Sequence, residues 1–258
     1  MPETKQLFIE DLLLSKRDIA LSYDPFCYFN VDNFLPYEIY DYCSRNYPGP
    51  DYDIHRNRSK YFFDSVKDVD IFNDLCRKHA PWDTLLKHLS SDRFVQDTCN
   101  ILSKGLMQSR DDDWIKFPVI VNLQFSRMVS GDQIYPHTDN DQKLFSLLMY
   151  FPEPGWKKEY GGGTDFYRAK VSANASKWTH WKTKHFHSKK DLETFHKDMT
   201  CFYAAEYKPN NLVGFVKAHN SYHAVSPLHC GEGMGRNCLN INFWIGGSKS
   251  NSNNVESY

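Results

Sequence analysis

His137 and Asp139 stand two residues apart in the stretch Tyr135-Pro136-His137-Thr138-Asp139-Asn140. On a β-strand, positions i and i+2 share a face, so one strand would present an imidazole and a carboxylate together. Those are two of the three ligands of a facial 2-His-1-carboxylate site, which leaves coordination positions open on Fe(II) for a co-substrate and O₂. Three residues are a weak motif, and an exposed polar turn would read the same. A third ligand must come from elsewhere. Ser221-Tyr222-His223-Ala224-Val225 offers one, beside a short apolar strand, and Arg236 follows thirteen positions later. His219 and His229 lie close by, but the strand hydrophobics and the spacing to Arg236 favour His223. A guanidinium at the head of a strand can grip a carboxylate bidentately.

These side chains need rigid elements to hold them. From Ile115 onward the chain has strand texture: Pro118–Met128, Ile134–Asp139, the nearly continuous apolar run Leu144–Phe151, Thr164–Tyr167, Cys201–Tyr207 and Leu212–Lys217. Arg236–Trp244 alternates larger apolar with smaller or polar residues, the pattern of a strand with one face to a core and one to a cavity or solvent. Leu144–Phe151 suits a strand buried on both faces. Upstream, Phe26–Val31 and Tyr61–Phe63 are strand-like. Tyr37–Tyr47, Asp68–His79 and Arg93–Leu102 are predicted helices, with Pro36 in the first turn of one and Ser90 or Ser91 capping another. Gly161-Gly162-Gly163 lacks the GK[ST] ending of a phosphate loop and is expected to be a backbone turn.

Composition narrows the class. With 258 residues the chain can bury one large core, and a formal charge of −1 argues against a nucleic-acid binder. The stretch 177–187 mixes bases and aromatics that could stack on bases, but a solvated insertion is the plainer expectation. Seven cysteines without a CxxC point to reduced thiols in a cytoplasmic setting. No apolar run approaches membrane-spanning length, and the N-terminus lacks the pattern of a signal peptide.

The ordered set His137, Asp139, His223 and Arg236 resembles the pattern of 2-oxoglutarate- and Fe(II)-dependent dioxygenases, in their prolyl-hydroxylase-like branch. Leu147-Leu148-Met149-Tyr150-Phe151 resembles the family's apolar strand, which often ends in a co-substrate-binding tyrosine. Gly161–Phe166 and Asn211–Phe215 resemble two further strand entries. The resemblance covers about 115–245. It implies a mainly β fold with flanking α-helices, a double-stranded β-helix or jelly roll. The domain would be a single catalytic unit, 1–245. Helical support would span about 1–114, the jelly-roll core about 115–245 with an insertion at 168–200, and a flexible tail 246–258.

By the same resemblance, His137, Asp139 and His223 are the metal ligands, while Arg236 and Tyr150 bind the co-substrate. The cofactors are Fe(II), 2-oxoglutarate and O₂, with ascorbate a candidate reductant. The implied reaction hydroxylates an unactivated C–H bond of a protein side chain, amino acid or small metabolite, releasing succinate and CO₂. Desaturation, epimerisation or ring closure by the same oxidant is the alternative outcome. A non-catalytic cupin-like metal- or sugar-binding jelly roll is the alternative class, and Arg236 discriminates against it. Specificity is expected on the loops 51–66, 152–162 and 168–200. Neither substrate nor oligomeric state is readable.

Overall fold

The computed structural model describes residues 12–57, 59–110, 113–170 and 189–246. Four helices come first: α1 (Tyr37–Arg45), α2 (Val69–Lys78), α3 (Ala80–Leu89) and α4 (Asp92–Ser109). Each buries a stripe at helical spacing, as with Trp82, Leu85, Leu86 and Leu89 on α3 or Phe94, Thr98, Leu102 and Leu106 on α4. Ser91 caps α4 by accepting the Phe94 N–H, as expected for one of the two serines. Gly105 lets α4 come against the sheet, since a Cβ there would lie 2.4 Å from the Cys27 Cβ.

Eleven strands follow or interleave: β1 (Tyr28–Asp32), β2 (His55–Arg56), β3 (Tyr61–Asp64), β4 (Val119–Met128), β5 (Ile134–His137), β6 (Lys143–Tyr150), β7 (Thr164–Ala169), β8 (Met199–Ala205), β9 (Asn211–Val216), β10 (His223–Val225) and β11 (Arg236–Ile245). A short helix α5 (Lys189–Asp198) leads into β8. The strands form a seven-stranded sheet, β1-β9-β6-β11-β4-β3-β2, and a four-stranded sheet, β5-β10-β7-β8. All the pairings are antiparallel. The fold is a double-stranded β-helix with the helices on the outer face of the larger sheet.

That outer face carries the main core. Leu123, Phe125, Leu147, Met149, Leu239, Ile241 and Phe243 pack with helix residues such as Ile39, Leu75, Trp82 and Leu102. Phe125 sits between Trp82, 4.9 Å away edge-on, and Phe63, stacked at 5.0 Å. Between the sheets lies a smaller cluster of Tyr150, Phe166, Tyr207, Val213, Phe215 and Cys238.

Some boundaries differ from expectation. Helix α3 was not anticipated, because Pro81 punctuates the sequence; the proline sits in the helix's first turn, where its missing N–H costs nothing. Helix α4 continues past Leu102, where its end was expected, to Ser109. Strand β5 ends at His137, so Asp139 lies beyond it in a turn. There the Asn140 side chain accepts the Gln142 N–H and its carbonyl accepts the Lys143 N–H, bending the chain into β6. Gly161 and Gly162 adopt positive φ, as a backbone turn requires. The stretch 177–187 and the tail beyond Gly246 lie outside the described residues. Among the described residues, no helix is long and apolar enough to cross a membrane.

Candidate metal centre and its cavity

His137 and His223 are direct cross-strand partners of β5 and β10, with ring centroids 4.2 Å apart. Asp139, arriving from the turn, completes a group whose ligand atoms all lie within 4.8 Å of one another. The strand face expected to hold both His137 and Asp139 therefore holds only the histidine. A turn delivers the carboxylate to the same point.

Both imidazoles are oriented in the same way. His137 Nδ1 lies 2.9 Å from the Tyr135 carbonyl, and His223 Nδ1 lies 3.0 Å from the Ser221 carbonyl. A carbonyl only accepts, so each Nδ1 carries the proton and each Nε2 is left basic, the tautomer a metal needs. Burial, with His223 alongside, pushes His137 down to about 3. Burial likewise lowers His223. Both rings are thus neutral at pH 7. Burial alone would raise the pKa of Asp139, but Lys143 and then the two imidazoles outweigh it and hold the carboxyl below the usual range. The Lys143 ammonium stands 3.1 Å from Asp139 Oδ1, and Ser146 Oγ donates to Oδ2 at 3.3 Å. Two neutral imidazoles, one ionised carboxylate and polar groups holding that carboxylate suit a divalent cation of the Fe(II) kind.

Arg236 begins β11 on the inner face and is only 3% exposed. Its Nε donates to the Gly162 carbonyl, and its guanidinium lies 5.3 Å from the Tyr150 ring and 5.4 Å from the Tyr207 ring. Among the described residues no carboxylate pairs with it. A buried guanidinium without a counter-ion is costly unless an anion arrives. Tyr150 ends β6, and its hydroxyl shares a 2.6 Å hydrogen bond with Thr164 Oγ1. Burial pushes that phenol's pKa well up, so it stays protonated.

Sequence reasoning missed several members of this cavity. Lys143 hid in front of the apolar run that became β6. Gly162, Thr164 and Tyr207 were read as turn and strand residues. Lys60 comes from a hairpin far upstream: its ammonium donates to Gln124 Oε1 at 2.6 Å on the inner face of β4.

Residues 123–246 match the family model of the 2OG-Fe(II) oxygenase superfamily. This segment belongs to that superfamily, whose members use Fe(II), 2-oxoglutarate and O₂. Similar solved structures include a Pseudomonas putida prolyl-4-hydroxylase, 14% identical over 86% of this chain and 95% of that one, with a TM-score of 0.43. EctD from S. alaskensis, solved with 2-oxoglutarate and 5-hydroxyectoine, is 11% identical over 86% and 73%, with a TM-score of 0.48. The carbocyclase SnoK from nogalamycin biosynthesis is 10% identical over 91% and 88%, with a TM-score of 0.48. At such identities these similarities leave the substrate and the oxidative outcome open. No curated protein matches the chain significantly.

Proposed function

We propose that His137, Asp139 and His223 hold Fe(II), that Arg236 binds the distal carboxylate of 2-oxoglutarate, and that the protein hydroxylates an unactivated C–H bond of a protein side chain, amino acid or small metabolite. The balance is substrate, O₂ and 2-oxoglutarate to hydroxylated substrate, succinate and CO₂. Iron and co-substrate, when bound, supply the oxidising chemistry. The chain's own residues orient and insulate. Backbone carbonyls two residues before each histidine fix its ring, and Lys143 and Ser146 hold the carboxylate against rotation. Tyr150, kept protonated, is a neutral donor beside the carboxylate site. The aromatic cluster of Phe166, Tyr207 and Phe215 excludes water around it. A single catalytic domain over 1–245 is part of this proposal. A cytoplasmic setting fits the seven unpaired thiols.

Arg236 is the observation that favours an oxygenase over a cupin-like binding protein. A metal-binding jelly roll has no need of a buried guanidinium that lacks a carboxylate partner among the described residues. Anaerobic titration with Fe(II) and 2-oxoglutarate should raise a visible metal-to-ligand charge-transfer band that Arg236→Ala loses. Admitting O₂ should then yield slow succinate. Absence of the band in the metal-loaded wild type would leave a binding protein as the better account. Product mass separates hydroxylation, at one added oxygen, from desaturation or ring closure.

A further inference from the structure

The inner face of β4 and β11 carries a second cation besides Arg236. Lys60 belongs to the β2–β3 hairpin, which is firmly built. Asn57 Oδ1 accepts the Ser59 and Lys60 N–H groups, both at 2.8 Å, and the Asn57 N–H donates to the Lys60 carbonyl. Arg56 then fastens the hairpin with a bidentate pair to Asp132, at 2.9 and 2.6 Å. His55 adds a 2.7 Å contact to Asp68. From this anchored position the partly buried Lys60 side chain reaches inward to Gln124, next to Asn240, whose Nδ2 donates to Ser126 Oγ and the Gln124 carbonyl.

An ammonium has three protons to donate, and among the described residues no carboxylate pairs with this one. Burial pushes its pKa down to about 8, and the charges it feels include Arg236, Lys143 and Asp139. Because Gln124 pairs with Asn240 and alternates with the outward-facing Leu123 and Phe125, Lys60 reaches the inner face of the sheet, the face that also carries Arg236. The Arg236, Lys60 and Lys143 cations there face the single carboxylate of Asp139, and Lys217 adds a fourth cation shared between Asp139 and Asp141. Fe(II) and dianionic 2-oxoglutarate cancel each other, so the loaded cavity keeps a positive excess. Arg236 lies deepest and suits the co-substrate. Lys60 is less deeply buried, on the hairpin that ends the larger sheet.

We propose that Lys60, supported by Gln124 and Asn240, anchors an oxyanion of the primary substrate, a carboxylate or a phosphate, so that the enzyme acts on an anionic molecule. This rests on the oxygenase assignment above. The test uses full-length protein with ¹³C-dimethylated lysines, loaded with Zn(II) in place of iron and saturated with 2-oxoglutarate. Acetate and inorganic phosphate are titrated over the millimolar range, where one charge-assisted contact registers. The Lys60 resonance is identified by its loss in Lys60→Gln, and those of exposed Lys87 and Lys116 report general ionic screening.

The expected result is a saturable shift of Lys60 beyond that of the references, with its pKa rising by about one unit as the anion favours the charged form. The stronger of the two probes identifies the oxyanion. A shift seen only when 2-oxoglutarate is omitted would assign Lys60 to the co-substrate and overturn the proposal, as would no shift with either probe. In parallel, Lys60→Gln should change 2-oxoglutarate affinity less than about threefold, against roughly 100-fold for Arg236→Gln. If neither wild type nor variant binds 2-oxoglutarate, the oxygenase assignment itself fails. Binding without a Lys60 response defeats the substrate anchor alone.

Discussion

Strands β4, β6 and β11 turn two opposite chemistries outward and inward from alternate positions. Outward, Leu123, Phe125, Met149, Leu239 and Ile241 are sealed under the helices. Inward, Asn122, Gln124, Ser126, Ser146, Tyr150, Arg236, Asn240 and Asn242 line the side facing the histidines. Paired residues keep this division in register, with Asn240 opposite Gln124 on one side and Leu148 on the other. The outer face is held by apolar area removed from water, which has no direction and tolerates no gap. The inner face is held by directed hydrogen bonds, and among the described residues its Arg236 has no carboxylate partner. One face supplies stability. The other spends part of it to keep polar groups poised.

The largest expected effect belongs to the inner face and spares the fold. His137→Ala should reduce substrate-dependent succinate formation to background, while urea denaturation of the metal-free protein shifts little. Full turnover in this variant would remove His137 from the ligand set. The mirror experiment is Phe125→Ala, which empties a site ringed by Trp82, Phe63 and Phe72 and should cost about 3–5 kcal/mol of stability. Asn240→Ala, one strand away on the inner face, should cost only roughly 1 kcal/mol, that of lost hydrogen bonds. Equal costs in urea melts would dissolve the distinction between faces.

Smaller changes sharpen it. Tyr150→Phe removes the hydroxyl shared with Thr164 and should weaken 2-oxoglutarate binding by about 5-fold, read from the charge-transfer titration. An unchanged affinity would make Tyr150 a core aromatic only. The least effect is a pH dependence at Lys217, which is fully buried and donates to the Ala218 carbonyl. Burial lowers its ammonium to about 8, against roughly 10.4 when unfolded. Between those values the unfolded chain binds more protons, so this group makes the fold more stable as pH rises through the window. Below about 8 its penalty is complete. Lys217→Met should flatten that rise relative to wild type in denaturation series from pH 7 to 10. A parallel wild-type and variant profile would contradict it.

Much of the site was legible in order and type. His137, Asp139, His223 and Arg236 could be chosen because a facial triad and a carboxylate clamp demand those groups, and because flanking alternation marked the strands. The alternation of Arg236–Trp244 also announced two unlike faces. Boundaries were less legible. The HxD pair was placed on one strand by period-two geometry, yet local hydrogen bonds of Asn140 end the strand between them and still bring Asp139 home. Helix α3 was masked by a proline that the first turn tolerates.

The sequence by itself determined the barrel strands and the types and order of the candidate ligands, because each depends on local periodicity or on intrinsic side-chain chemistry. Only the tertiary structure decided which lysines enter the cavity. Lys60 meets Gln124 across 64 positions, and Lys143 reaches Asp139 around a turn. A lysine stem is flexible, and its ammonium reads the same in a sequence whether it faces water or the interior. Its direction is set by the packing of distant segments, which no local pattern encodes.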